Sequence, residues 1–359
     1  MNERTWDLVS YTPDLAEEVA DLARRTWGEA EITNLDYHRW QYVDNPAGPV
    51  MAFLARDRET QKIVGQEALI PIQVDLDGVP TAVMLSLNTT TDPAYRRRGI
   101  FGGVVRSANE SLAPAGMAFV YGIPNQNSYA GFIGLGWYLI GDVPLLVRPV
   151  NLRRLVAQRI ALPGVAPLAA IAGRALAPTL PKTPQPVEGV SITPVEQFDA
   201  SFDGLWQRIR GRQRVMVVRD STYLSWRFHQ IPLRRYDCFK ATTAEHGLAG
   251  YIILREAEIS GMQAGLIVDF LIDSSPAGER AGRALLSQAL AHFSSQEIDL
   301  LGCLMLPHAP EYQLLRRASF RPCPKRLLPQ PFPLIAHGGE EMVRDLRNWF
   351  ITMGDYDAV

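Results

Sequence analysis

The stretch Thr91-Asp92-Pro93-Ala94-Tyr95-Arg96-Arg97-Arg98-Gly99-Ile100-Phe101-Gly102-Gly103 stands where a β-rich run ends and an apolar helical period begins. A helix N-terminus leaves backbone N–H groups unpaired and concentrates partial positive charge. A turn there without bulky obstruction therefore cradles a pyrophosphate. Gly99 lets the backbone approach a ligand closely, and Arg96, Arg97 and Arg98 can fork toward phosphate oxygens. The same letters also describe the solvated basic start of an ordinary surface helix, and on this stretch alone the two readings are level.

Outward from that turn, the pattern alternates in a definite order. Helices are expected over 13–25 and 36–42, then strands over 51–56 and 63–74, a turn at Asp75-Leu76-Asp77-Gly78, and a strand over 83–91. After the turn come a helix over 99–112, a strand over 117–122, a short helix over 128–135 and a strand over 137–148. A β-meander followed by helix, strand, helix and strand makes a mixed α/β sheet with helices on both faces.

The chain also repeats itself. Tyr37-x-x-Trp40-x-Tyr42-x-x-x-Pro46 recurs as Tyr223-x-x-Trp226-x-Phe228-x-x-x-Pro232, an offset of 186 residues. Pro93 and Pro276, Gly99 and Gly282, and Trp137 and Phe320 are each 183 apart. Landmarks in one order at nearly one offset imply a duplication. The second copy shows strands over 237–241, 249–255, 265–273 and 299–306, with helices over 278–293 and around 312–317. The 359 residues, at roughly 100–200 per domain, thus divide into a first domain over 1–150, a Pro- and Ala-rich helical linker over 151–189, a second domain over 190–336, and a C-terminal segment over 337–359 with a helix over 340–349. Within the linker, 152–176 has the pattern of a broken amphipathic helix, and Pro181-Lys182-Thr183-Pro184-Gln185-Pro186 is a stiff spacer.

Composition removes several classes of function. Hydrophobic residues at 47% and charged residues at 21% specify a folded protein with ample core. A formal charge of −2 provides no global field to draw the chain onto nucleic acid. The uncharged run 160–173 is shorter than the roughly 20 residues of a membrane span and is broken by Pro163 and Pro167. The N-terminus lacks the basic-then-apolar run of a signal peptide, so a cytoplasmic location is expected. Cys238, Cys303 and Cys323 form no disulfide framework, no C-x-x-C pair is present, and no histidine pair, His38 and His229 included, has metal spacing; no metal is expected.

Arg96-Arg97-Arg98-Gly99-Ile100-Phe101 resembles the phosphate loop Arg/Gln-x-x-Gly-x-Gly/Ala of the GCN5-related N-acetyltransferases (GNAT), departing from it only at Phe101. Downstream, Pro124-Asn125-Gln126-Asn127-Ser128-Tyr129 and Phe132-Ile133-Gly134-Leu135-Gly136-Trp137 are similar to that family's asparagine, helix and Leu-Gly-aromatic ending. The segment 40–46 resembles the acceptor-side helix of a subgroup associated with bacterial surface-polysaccharide genes. The resemblance covers 1–150 well and 190–335 weakly, so it implies two tandem GNAT domains. It further implies that the fourth and fifth strands splay and that acetyl-CoA, as cosubstrate, lays its pantetheine arm between them. Thr89 and Thr91 would give backbone contacts, Arg96, Arg97, Arg98, Gly99, Ile100, Phe101 and Gly102 would hold phosphate, and Asn127 would touch the cofactor. Phe101, in place of a small residue, would reshape the pocket mouth. In the second copy Glu279 stands where Arg96 does, and a carboxylate facing pyrophosphate costs Coulomb energy, so that domain reads as degenerate.

Acetyl transfer to an amine needs a base for the nucleophile's proton, stabilisation of the oxyanion and an acid for the leaving thiolate. Where family members carry a tyrosine acid this chain has Phe132, so Tyr129, one helical turn earlier, becomes the candidate. Leu85, Ser86, Leu87 and Asn88 on the fourth strand offer no carboxylate, which leaves Glu67 on the neighbouring strand as base. In some tandem relatives the terminal carboxylate enters the first domain's site, which implies a role for Val359. Trp40 and Tyr42 would border the acceptor cleft. The expected function is transfer of an acetyl group to a primary amine of a small polar acceptor such as an amino sugar. The alternatives are a noncatalytic CoA-binding or scaffold protein, and a transferase of this fold using another acyl or aminoacyl donor.

Overall fold

Asp77 and Gly78 both hold positive φ, 54° and 87°, the backbone that a two-residue hairpin requires and that a short polar residue and glycine tolerate best. That turn closes a long antiparallel pair, and the rest of the first half is laid around it. The computed structural model describes residues 4–150, 183–259 and 261–356. The first half runs β1 (Trp6–Ser10), α1 (Ala16–Trp27), α2 (Leu35–Tyr42), β2 (Met51–Asp57), β3 (Ile63–Leu76), β4 (Val79–Thr91), α3 (Ile100–Ser111), β5 (Phe119–Gly122), α4 (Gln126–Ile133), β6 (Tyr138–Asp142) and β7 (Leu145–Pro149). The second half runs β8 (Val190–Pro194), α5 (Ala200–Ile209), β9 (Val215–Val217), α6 (Ser221–Leu224), β10 (Asp237–Thr243), β11 (Gly247–Ile259) and β12 (Met262–Ile272). It continues through α7 (Pro276–Ser294), β13 (Leu300–Leu304), α8 (Pro310–Arg317), β14 (Arg321–Pro322), β15 (Pro333–Gly338) and β16 (Trp349–Phe350).

Local chemistry accounts for these elements. α1 carries Glu17 and Glu18 in its first turn and Arg24 and Arg25 in its last, charges that complement the helix dipole, and it buries Val19, Ala20, Leu22 and Ala23. Asn34 caps α2 by accepting from the backbone N–H groups of Asp36 and Tyr37.

The strands form two mixed sheets, as the α/β reading expects. The first is ordered β1-β2-β3-β4-β5-β15-β6, with β9 beside β3 and β16 beside β9; the second is β14-β7-β13-β12-β11-β10-β8. Written side by side, the two orders are one pattern, except that each sheet takes the strand beside its last one from the other half. β15 lies between β5 and β6, and β7 lies between β13 and β14. The expected single strand over 137–148 is therefore two strands in two sheets. Pro144 has no N–H to continue the ladder, and Val143 donates instead to the carbonyl of Phe332, so the chain leaves the first sheet there and enters the second. The sheets accordingly do not part at residue 150 or at 336.

The helix expected over 340–349 is replaced by two 3-10 turns, Glu341–Arg344 and Leu346–Asn348. Asp345 between them is extended, and its carboxylate takes the backbone N–H and the guanidinium of Arg347, a local bond that competes with helix. The reading of 152–176 as helix, and most of the linker with it, lies outside the described residues. Among those residues no helix is long and apolar enough to cross a membrane.

Candidate active site

The Arg96–Gly99 turn is built from both ends. Asp92 caps it by accepting from the N–H of Ala94, and Arg25 of α1 holds Asp92 in turn at 2.7 Å. The indole Nε1 of Trp6 donates to the carbonyl of Arg98 at 3.2 Å. Trp6 also explains the last glycine of the stretch, since a Cβ on Gly103 would lie 2.2 Å from the indole ring. Arg97 and Gly99 have φ of 63° and 74°, so the turn alternates through left-handed backbone and ends on Gly99 as the N-cap of α3. A Cβ on Gly99 would meet nothing within 4 Å. Arg97, Arg98 and Gly99, with Arg4 and Arg106, line a recess of about 670 Å³.

Beside this turn β4 and β5 part. They run parallel and are paired only at Met84 with Val120 and Leu85 with Tyr121. Beyond that point they diverge and open a cleft of about 570 Å³. Ser86, Leu87, Asn88 and Thr89 form one wall; Gly122, Ile123, Pro124 and Asn125 form the other, with Ser128 and Phe132 of α4 above them. Trp27, Glu31, Tyr37 and Arg234 stand at another side, with the Arg234 guanidinium on the Glu31 carboxylate. Ile335 and Tyr356 come to the same cleft from the far end of the chain.

Opposite the bulge that turns β4 lies a buried acid of β3, Glu67. Register slips between Gln66 and Ala68 opposite Leu87 to Thr90, and Asn88 takes the strain at φ 54°. The Asn88 side chain is held by donating to Gln41 Oε1 at 2.7 Å and Tyr42 Oη at 3.3 Å. Within the slip, Glu67 is fully buried, and the Ser86 hydroxyl donates to its Oε1 at 2.6 Å. Oε2 has no full hydrogen bond. Burial pushes the Glu67 carboxyl up to about 7, with the hydroxyls of Ser86 and Thr89 pulling it partly back.

The expected site residues fall into three groups. Thr89 lines the cleft; Thr91, one turn of strand further, leaves its hydroxyl oxygen buried and without a partner beside the arginine turn. Arg96, Arg97, Arg98 and Gly99 are exposed at the turn, whereas Ile100 and Gly102 offer backbone only: the Ile100 side chain is buried over Gly65, and a Cβ on Gly102 would press on Arg106. Phe101 does not stand at a pocket mouth. It packs edge-on to Phe132 and over Gly131, whose missing Cβ leaves the ring its space.

The third group is displaced. Asn127 is exposed and away from the cleft, while Asn125, the N-cap of α4, lines it and accepts from the N–H groups of Asn127 and Ser128. Tyr129 packs against the apolar cluster under α3, and Ser128 and Phe132 take the cleft side of α4. Trp40 and Tyr42 do not border the cleft: both are buried, Trp40 against Trp226 and Tyr42 against His38 and Tyr11. Val359 lies outside the described residues. The segment before it is anchored to both halves. Arg219 grips the Asp355 carboxylate at 2.8 Å and Asp269 at 3.1 Å, and Arg227 donates to the carbonyls of Gly354 and Tyr356. Tyr121 of β5 donates to the carbonyl of Asp355, which brings Tyr356 to the cleft wall.

In the second half the matching opening between β12 and β13, past Ile267 and Cys303, is taken up by the protein itself. Ile272, 183 residues after Thr89, donates its N–H to Glu311 at 3.0 Å and gives its carbonyl to Arg212 at 2.9 Å. Arg212 and Glu311 pair at 2.8 Å. Glu279, at the place of Arg96, is bound to Arg317, and a Cβ on Gly282 would strike Leu314 at 2.5 Å. Among the described residues no group of three or more His, Cys, Asp or Glu is arranged to hold a metal ion.

Residues 8–139 match the acetyltransferase (GNAT) domain family, and the chain accordingly carries a GNAT domain in its first half. The whole two-sheet fold is shared with a probable N-acyltransferase from Enterococcus faecalis, at 14% identity and TM-score 0.62 over 93% of this chain and 73% of that one. It is shared equally with the N-myristoyltransferase of Saccharomyces cerevisiae bound to myristoyl-CoA, at 12% identity and TM-score 0.62 over 94% and 83%. A GCN5-related N-acetyltransferase from Anabaena variabilis superimposes at 12% identity and TM-score 0.63 over 92% and 72%. No curated protein matches the sequence.

Proposed function

We propose that the first half binds an acyl-CoA, acetyl-CoA in the first instance, and that the chain transfers its acyl group to a primary amine of a small polar acceptor. The observation that carries this reading is the parting of β4 and β5 after two residue pairs, beside a turn whose glycine faces open space. A pantetheine arm, itself a chain of amides, fits a gap walled by strand backbone at Thr89. The exposed guanidinium groups of Arg96, Arg97 and Arg98 and the N–H groups at the start of α3 supply counter-charge for phosphates. Arg4 and Arg106 extend the same positive field around the adjoining recess. The bound thioester would supply an activated acyl carbon.

Glu67 is the base in this reading. Its carboxyl, raised to about 7, is matched to taking a proton near neutral pH. Asn88, Asn125, Ser128, Glu31 and Arg234 make the cleft polar enough for a hydroxylated, amine-bearing acceptor, and an amino sugar has that chemistry. The second half acts as structure and cleft wall, because the groups that a cofactor would use there are already bonded internally. Calorimetry with acetyl-CoA and with CoA, followed by mass spectrometry of a panel of amines and amino sugars incubated with acetyl-CoA, tests the proposal. Binding with acetylated product is expected; binding without any product would leave a CoA-binding scaffold in its place.

A further inference from the structure

Glu67 lies behind the cleft and does not line it, whereas Ser86 does both: its side chain faces the cleft and its hydroxyl donates to Glu67 Oε1 at 2.6 Å. We infer that Ser86 is the catalytic group that receives the acceptor's proton and that Glu67 acts through it as a positioning residue and proton store. This rests on the acyl-transfer reading above.

The argument is one of access and direction. A fully buried carboxylate has no path for a proton except through a neighbour that can give and accept at once, and a serine hydroxyl is such a group. With its hydrogen committed to Glu67, the Ser86 oxygen presents lone pairs to the cleft, where they meet an amine N–H. As the amine nitrogen bonds to the acyl carbon, its proton passes to the Ser86 oxygen while the Ser86 proton passes to Glu67. One N–C bond forms and one C–S bond breaks with its electron pair leaving on sulfur. The proton gained by Glu67 equals the one the sulfur takes up, returned along the same path after product leaves.

The second half supplies an internal control. By strand register Asp269 stands opposite Ile253 as Ser86 stands opposite Leu69, so Asp269 takes the place of Ser86 and Tyr251 that of Glu67. There the carboxylate and the hydroxyl have changed places: Tyr251 donates to Asp269 at 2.9 Å, and Arg219 binds the same carboxylate at 3.1 Å. Of the two matched pairs, the one in which a cleft-lining hydroxyl donates to a buried carboxylate behind it is in the half whose strands open on an unfilled cleft.

The test compares the full-length protein with Ser86→Ala and Glu67→Gln, using acetyl-CoA and the amine that gives most product. Ser86→Ala is expected to lower kcat about a hundredfold with acetyl-CoA affinity within twofold. Its acid limb should move to higher pH, because the lost hydroxyl had favoured the ionised carboxylate. Glu67→Gln is expected to abolish that limb. A carboxyl infrared band, present below neutral pH and missing in Glu67→Gln, should titrate higher in Ser86→Ala, and this reads the pair without turnover. Wild-type turnover with Ser86→Ala unchanged in kcat and pH profile overturns the relay alone. Binding of acetyl-CoA with no turnover of any amine by the wild type overturns the acyl-transfer reading and the relay with it.

Discussion

Trp40 and Trp226 hold each other by the same bond in both directions. The indole Nε1 of Trp40 donates to the carbonyl of Trp226 at 2.8 Å, that of Trp226 donates to the carbonyl of Trp40 at 3.1 Å, and the two rings stack at 4.9 Å with 19° between their planes. Reciprocity of this kind marks a pseudo-twofold axis between the duplicated halves. It also makes the junction a core, continuous from α2 to the segment after α6, instead of a seam between two closed domains.

If that pair is the centre of the junction, cutting either ring should cost what a core aromatic costs. Trp40→Ala and Trp226→Ala are each expected to lower stability by about 3–5 kcal/mol. Trp40→Phe should lose about 1–3 kcal/mol, since it leaves the Trp226 carbonyl buried without its donor. Urea denaturation of the single and double variants should show coupling of roughly 0.5–3 kcal/mol; strictly additive losses would mean that the two rings are independent.

Glu67 links activity to stability in a way that pH can separate. In the folded chain it keeps its proton up to about pH 7, whereas its ordinary value is 4.5. Between those values the unfolded state binds fewer protons, so folding free energy from this group is lost as pH rises, by roughly 3 kcal/mol in all. Glu67→Gln stays neutral throughout. Its stability relative to wild type should therefore climb by about that amount from acidic to mildly alkaline pH, measured by denaturation at each pH, as its activity disappears.

Much of this was legible in the residues, and the failures have physical causes. The meander, the arginine turn and the repeat could be read because turn chemistry, helix caps and period are local. The exchange of β7 and β15 could not, because a strand's side-chain alternation is the same whichever sheet receives it. An aromatic at a concave edge and an aromatic in a core look alike in sequence, so the letters alone do not separate Trp40 from a cleft residue. The recurrence of Trp40 as Trp226 was the available signal, since a duplicated residue on a twofold axis meets its own copy. Tyr129 and Asn127 missed the cleft by one or two positions on α4, a helix rotation that only packing settles. Ser86 carries no signal of its own in sequence, since a strand serine is ordinary and only its contact with Glu67 on the neighbouring strand sets it apart.

The arginine turn makes a prediction about binding alone. Arg98→Glu places a carboxylate beside the phosphates and should weaken CoA binding at least tenfold, more at low salt than at high. Gly99→Trp fills the open space at a backbone with φ 74° and should do the same. Arg280→Ala, at the second half's counterpart turn, removes only a contact with Glu245 and should leave affinity unchanged. Calorimetric titration with CoA decides, and equal affinity in the first two variants removes the phosphate assignment.

The Arg212–Glu311 pair offers the complementary test in the other half. Both side chains are buried, and Glu311 serves two donors, the Arg212 guanidinium and the N–H of Ile272. Glu311→Ala leaves a buried cation and a buried N–H unpaired and should cost about 3–5 kcal/mol. Glu311→Gln keeps an acceptor for Ile272 and should cost less. If the pair serves as the internal substitute for a ligand, neither wild type nor Glu311→Gln will bind more than one CoA per chain, since the stoichiometry is set by the first half. A second equivalent of CoA bound by the wild type, and lost on changing Glu279 or Arg280, would show instead that the second wedge opens to ligand despite its own ion pair.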